Sequence, residues 1–339
     1  MQIKEDIPLA PHTTLKLGGV ARYFTTLTET SDVSTVFRAA EKRDVPVFWL
    51  GGGSNTIFAD GVIDKLVVKN ELRGISLEAK GDKVIATIAA GEGWDTFVAQ
   101  MVKKGLAGVE ALSGIPGTVG AAPVQNIGAY GAELADVLVS LTAWDRDAGE
   151  FREFTLKDCK FSYRDSLFKR QPGRFVITEV SLRLVPDQSP AVPKYGSLQA
   201  YLEENNISDP DLSAIRSAVL AVRSARLPDV DKVPNAGSFF TNPIVSAEQA
   251  DALADEFPEL VRFDLADGCV KIPAGWLIEQ AGLKGRQFGN FRTSSDNALV
   301  LIHDGGGNTS ELLSVQEDIV RQVEDMFGIT LEREPNLVV

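Results

Sequence analysis

The sequence predicts an α+β protein, and three observations carry that prediction. The first half alternates short apolar runs with few helices, the texture turns helical after about Asp187, and no Gly-x-Gly-x-x-Gly string follows the apolar run Val45-Pro46-Val47-Phe48-Trp49-Leu50. A doubly wound mononucleotide fold wants that string in its first strand-to-helix turn. Val33 to Lys42 has a helical pattern, while Lys65 to Lys69, Lys83 to Ala90 and Phe175 to Val185 are β-branched or alternating and read as strands. Trp94 to Lys104 carries apolar residues at 94, 97, 98, 101 and 102, a helical stripe stopped by Gly105. Helices are expected at Leu212 to Arg226, at Ala247 to Glu256 with Ser246 as N-cap, at Ala274 to Ala281, and at Ser310 to Phe327 closed by Gly328. The final run, Ile329 to Val339, reads as a strand, and no internal repeat is present.

Composition narrows the function classes. A chain of 339 residues, 44% hydrophobic and 24% charged, is long enough for two or three cores and is not disordered. A formal net charge of −13 disfavours nucleic acid and anionic membrane surfaces, both of which need a basic footprint. There is no signal-peptide pattern and no apolar run of spanning length, so a cytoplasmic location without membrane insertion is expected. Cys159 and Cys269 have no metal-ligand spacing and read as reduced thiols; no metal site is expected. The two histidines, His12 and His303, read as structural or surface residues, which removes the usual base of most triad and metal chemistries.

Two glycine-rich stretches stand out. Gly51-Gly52-Gly53-Ser54-Asn55 follows the apolar run directly, and Ser113 to Gly131 contains no charged side chain. Glycine lets backbone approach a flat or anionic group closely, so both stretches point to an elongated cofactor. Three further strings carry reactive groups. In Phe161 to Phe168, Arg164 is a permanent cation suited to a carboxylate, or else simply the partner of Asp165. In Asn235 to Pro243, Ser238 lacks the surroundings of an acyl-transfer nucleophile and reads as a proton donor or a turn cap. In Leu331-Glu332-Arg333-Glu334, alternation places the two glutamates on one face and the arginine on the other, an arrangement that strand-edge salt bridges would explain equally well.

Taken together, Gly51 to Asn55, Ile115 to Gly131, Tyr163 to Phe168, Asn235 to Pro243, Ala274 to Gly285 and Leu331 to Glu334 resemble, in order, the motifs of the UDP-N-acetylenolpyruvoylglucosamine reductase family of bacterial peptidoglycan precursor synthesis. Lys194-Tyr195-Gly196 resembles the substrate-covering tyrosine loop of that family's first structural type. The resemblance implies an FAD-binding fold of the vanillyl-alcohol oxidase type over residues 1–187, in two subdomains split near 60–70. It further implies a connecting segment 188–225, a smaller α+β substrate domain 226–325, and a terminal strand 326–339 carrying Glu334.

It implies non-covalent FAD held by Gly51, Gly52, Gly53, Ser54, Asn55, Ile115, Pro116, Gly117, Thr118, Gly120, Ala121, Gln125, Ile127, Gly128 and Tyr130. Ala121 and Ala122 stand where some members carry hydroxyls, so contacts there would come from backbone. NADPH is implied as hydride donor and UDP-N-acetylglucosamine enolpyruvate as substrate, with Tyr163, Tyr195, Arg226, Asn242 and Asn297 near the substrate. Arg164 and Glu334 match the residues that stabilise the enolate, and Ser238 matches the proton donor. A carboxyl beside an enolate must be protonated or share a proton to avoid repulsion. Two alternatives remain open at this point: an alcohol or hydroxy-acid oxidase of the same flavin fold, and a non-catalytic sugar-nucleotide sensor.

Overall fold

A computed structural model describes residues 1–187, 190, 192–193 and 195–339. The chain forms two compact units, each assembled from separated segments: Met1–Ile7, Ala21–Gly52 and Asp64–Ser224 make the first, and Pro8–Val20, Gly53–Ile63 and Ala225–Val339 make the second. Two segments within the first 187 residues, Pro8–Val20 and Gly53–Ile63, thus group with the C-terminal residues.

In the first unit, Val47–Leu50 runs parallel to Val62–Asn70, with Val47 opposite Leu66 and Leu50 opposite Lys69. The strands Val20–Leu27 and Lys4–Pro8 extend this sheet on the other side of Val62–Asn70. A larger antiparallel sheet has the order Glu150–Thr155, Leu138–Asp145, Phe175–Pro186, Lys83–Ala89, Ile75–Lys80. Its buried face carries Ile88, Leu141, Val180 and Leu182, and the helix Trp94–Lys103 adds Trp94, Phe97, Val98 and Met101 to the same core. Gly105 follows that helix with φ 70, a left-handed conformation that a side chain would resist. The periodic helices Val33–Glu41 and Leu212–Ser224 form within a residue or two of their expected ends.

One polar cluster in this unit sits at the end of Leu138–Asp145. Asp145 is fully buried and accepts from Arg152 Nη1 at 2.8 Å, Arg174 Nη2 at 2.9 Å and Arg174 Nε at 3.0 Å. Cys159 is buried as well, and loss of hydration pushes its thiol up to about 12, which makes it an inert core group.

In the second unit, Asn235–Ser238, Val300–His303, Phe291–Thr293 and Gln287–Phe288 form a four-stranded sheet. It packs with Thr309–Phe327 and Ala274–Gln280 around Phe239, Phe240, Leu277, Phe291, Leu312 and Ile319. Leu15, Leu17 and Ile57, from far earlier in the chain, belong to the same core. His303 is fully committed: Nδ1 donates to Leu15 O at 3.0 Å, Nε2 accepts from Gly307 N at 3.2 Å, and the ring stacks on Phe291. The pairing fixes its tautomer and its structural role. Ser246 caps Ala247–Glu256 by accepting from Gln249 N at 3.1 Å.

The 19-residue helix Thr309–Phe327 begins with two acceptors. Asn308 Oδ1 takes Glu311 N at 2.9 Å, while Asp60 takes Thr309 N at 3.0 Å, Ser310 N at 2.9 Å and Ser310 Oγ at 2.7 Å. Burial pushes Asp60's pKa up, but these hydrogen bonds outweigh it and hold the carboxylate below its ordinary range. Asp60→Ala is expected to lower stability by about 1 kcal/mol, the usual value of a helix cap, read as a shift in the urea midpoint; an unchanged midpoint would refute the capping role.

The end of the chain departs from expectation. Only Asn336–Val338 is a regular strand, and it runs parallel to Thr56–Phe58. Pro335 has no N–H to donate and interrupts the run. Upstream of it, Leu331 to Glu334 lies along Phe239–Thr241 through a single antiparallel bridge between Phe240 and Arg333.

Candidate functional site

The first-unit candidates gather around Ser113 to Gly131. The stretch contains the short 3-10 turn Ala122–Gln125 and a hairpin pairing Gly128–Ala129 with Ala132–Glu133. Asn126, buried and at φ 45, locks the bend by donating to Glu133 Oε2 at 2.7 Å and accepting from Ala135 N at 3.1 Å. At the start of the stretch, Gly114 N donates to Asp95 Oδ1 at 2.5 Å. Asp95 also takes both arms of Arg216, at 2.6 and 2.8 Å.

Glycine in these loops answers first to the chain's own packing. A Cβ on Gly51 would come within 2.7 Å of Thr118 Oγ1, one on Gly52 within 2.8 Å of Gly117 Cα, and one on Gly120 within 2.4 Å of Ala90 Cβ. The two loops of this unit therefore lie against each other, and only glycine permits that distance. Several backbone groups are used inside the protein: Gly120 N donates to Ala90 O, Ala121 N to Thr118 O, and Ile127 N to Ala122 O. Ile127's side chain packs in the core of the first unit. In contrast, the amides of Gly51, Gly52, Ile115 and Gly117 have no acceptor among the described residues, and all four residues are at least partly accessible. Such a set of unpaired amides suits the diphosphate of a dinucleotide.

Arg164 lies beside this stretch. Its Nη2 donates to Gly128 O at 2.9 Å, and its guanidinium stands over the Tyr163 ring, 5.3 Å from the centroid. The alternative partner for Arg164, Asp165, is paired with Arg170. Ser166 ties the region down, donating to Val124 O at 2.6 Å and capping Leu167–Arg170. Tyr163 is 36% exposed and Tyr195 43%, and Tyr195 meets Tyr130 edge to face at 5.3 Å. Tyr195 is the N-cap of Gly196–Glu204; Lys194, the first residue of the tyrosine-loop string, lies outside the described residues.

The second-unit candidates are Gly53, Ser54, Asn55, Arg226, Ser238, Asn242, Asn297 and Glu334. Gly53 has φ 69, and a Cβ there would lie 2.0 Å from His12 O. Ser238 ends its strand opposite Val300, after a register shift centred on Gly237 at φ 69, whose amide donates to Asn235 Oδ1 at 2.8 Å. Glu334 N donates to Phe239 O at 2.9 Å, so Glu334 is held against the residue next to Ser238. Asn55 joins them, its Nδ2 reaching Glu334 O at 3.5 Å and its carbonyl accepting from Asn336 N at 3.0 Å. Arg333 bonds to Pro335 O at 2.9 Å and Gln316 Oε1 at 3.0 Å rather than to either neighbouring glutamate.

Asn242 Oδ1 accepts from Ala274 N at 2.9 Å, and Asn297 Oδ1 lies 3.5 Å from the Cβ position of Gly275. Both asparagines therefore sit at the start of Ala274–Gln280, while Arg226 lies exposed beyond the end of Leu212–Ser224. Local sequence did not mark Asp95, Arg216 or Asn126, whose roles depend on partners distant in the chain or on a bend; the aspartate in the first turn of Trp94–Lys103 was the only available hint.

Known proteins resemble the chain along its whole length. A family model for an FAD-binding domain matches residues 21–155, and one for the C-terminal domain of UDP-N-acetylenolpyruvoylglucosamine reductase matches residues 228–338. The reductase of Pseudomonas aeruginosa is 42% identical over 338 residues, covering 99% of each chain, and that of Cupriavidus pinatubonensis is 43% identical over 333 residues, covering 98% of each. The crystal structure of the Thermus caldophilus enzyme has the same fold, with a TM-score of 0.71, 24% identity and full coverage of both chains. No helix among the described residues is long and apolar enough to cross a membrane. With FAD-binding and reductase C-terminal domains in sequence, and relatives above 40% identity along its whole length, the chain belongs to the UDP-N-acetylenolpyruvoylglucosamine reductase family.

Proposed function

We propose that this protein reduces UDP-N-acetylglucosamine enolpyruvate to UDP-N-acetylmuramate, using NADPH and non-covalent FAD. When bound, FAD supplies hydride to the terminal carbon of the enolpyruvyl ether. The unpaired amides of Gly51, Gly52, Ile115 and Gly117 would hold its diphosphate, with Gly53, Ser54, Asn55, Pro116, Thr118, Gln125, Gly128 and Tyr130 as further contacts. Hydride addition would leave negative charge on the substrate's carboxyl-bearing end until the adjacent carbon is protonated. Arg164 is assigned to neutralise it, an electrostatic role that needs a cation oriented in advance, as the Gly128 bond orients this one. Ser238 is assigned to protonate the adjacent carbon and Glu334 to stabilise the enolate as a proton-sharing carboxyl. Tyr163, Tyr195, Arg226, Asn242 and Asn297 are assigned to the sugar nucleotide.

The observation that carries this reading is the pairing of Phe239–Thr241 with Glu332–Glu334, which sets the donor and the carboxyl on neighbouring backbone within one unit. Anaerobic titration tests it. NADPH should bleach the flavin absorption, the enolpyruvyl nucleotide should restore it, and acid precipitation should release the chromophore into solution. A flavin that NADPH leaves oxidised, or that substrate leaves reduced, would overturn the assignment.

A further inference from the structure

Arg164 has φ 54, in the left-handed region that a residue with a side chain seldom occupies without support. Two kinds of support are present. Ser162 and Asp165 exchange main-chain bonds, each N–H reaching the other's carbonyl at 3.1 Å, which closes a tight turn around Tyr163 and Arg164. The Lys169 ammonium then donates to the carbonyl of Arg164 itself at 2.8 Å. Lys169 forms no ion pair with a carboxylate among the described residues. Its own backbone is anchored, since Lys169 N donates to Ser166 Oγ at 3.2 Å and that hydroxyl reaches Val124 O at 2.6 Å. A charge-assisted bond to a carbonyl is stronger than a neutral one. Here it acts on the peptide unit that sets the direction in which the Arg164 side chain leaves the turn.

We propose that Lys169 is a positioning residue for Arg164: its ammonium holds the left-handed turn, and the turn, together with Gly128 O, aims the guanidinium. The inference rests on the assignment of Arg164 to enolate stabilisation. The test measures the two half-reactions separately, without oxygen, on FAD-loaded protein. Lys169→Met is expected to slow reoxidation of reduced flavin by the enolpyruvyl nucleotide about ten- to a hundredfold, the range of a lost charged hydrogen bond. Reduction by NADPH should stay within about twofold, because its hydride donor presents no enolate to Arg164. Lys169→Gln, which keeps an N–H donor without the charge, should fall between wild type and Lys169→Met; its NADPH half-reaction confirms an intact fold.

Arg164→Ala carries the deciding comparison. In that background, adding Lys169→Met should change reoxidation by less than about twofold, since the residue through which Lys169 acts is gone. Full additivity, or equal loss in both half-reactions, would overturn the positioning role. An Arg164→Ala variant that reoxidises at the wild-type rate would instead overturn the assignment of Arg164 beneath it.

Discussion

Ser238→Ala is expected to leave reduction of the flavin by NADPH at the wild-type rate and to slow reoxidation by the enolpyruvyl nucleotide about 10²- to 10⁴-fold, the contribution of a positioned general acid. The structure makes this a clean substitution. Ser238 follows the bulge at Gly237 and precedes Phe239, which is fully buried and whose N–H donates to Leu299 O at 2.8 Å. The backbone is thus fixed on both sides, and removal of one hydroxyl leaves the packing of Phe239 and Phe240 intact. A loss confined to reoxidation locates the role in protonation of the substrate. Equal losses in both half-reactions would mean that Ser238 shapes the unit rather than delivers a proton.

Asp145→Asn is expected to lower stability at neutral pH by roughly 2–3 kcal/mol, less than breaking a fully buried ion pair, because Arg152 and Arg174 stay partly solvated. The paired hydrogen bonds from Arg174, followed by that from Arg152, outweigh the burial penalty and hold the Asp145 carboxyl well below the usual carboxylate range. The sign follows from that depression. Stability from this group is fully present above the unfolded value of about 4 and drains away as pH falls from there toward the depressed folded value. Urea midpoints of wild type and Asp145→Asn should therefore lie far apart at pH 7 and converge below about pH 4. A gap that stays constant down through acid pH would show that the loss comes from geometry and not from the carboxylate's charge.

What the sequence disclosed and what it hid divides along local and distant effects. The stripe at Trp94, Phe97, Val98 and Met101 sets a helix within its own residues, and Ser246 and Gly328 mark ends by capping chemistry that needs no partner elsewhere. Arg164, Ser238 and Glu334 each sit in a string that has a bland reading of its own, and only the ordered set of motifs singles them out. Their fixing partners were not legible: Lys169 reaches a carbonyl, Phe239 O accepts Glu334 N, and Thr56–Phe58 pairs with Asn336–Val338. None of these leaves a periodic signal. Ile329 to Val339 reads as one strand, whereas only Asn336–Val338 is regular because Pro335, lacking an N–H, interrupts the run. The glycines were read as making room for a ligand, whereas Gly51, Gly52 and Gly120 first make room for the chain itself.

The interleaving of the two units bears on how the chain is made. Leu15, Leu17 and Ile57 leave the ribosome early, yet the residues they pack against, among them Leu277, Phe291 and Ile319, are synthesised near the end. Three apolar side chains of the second unit therefore wait, exposed, while most of the protein is translated, a period in which a chaperone could shield them. For the same reason, a fragment starting at Ala225 would lack both its partner strand Thr56–Phe58 and a corner of its core, and it is expected to aggregate unless residues 8–20 and 53–63 are grafted back onto it.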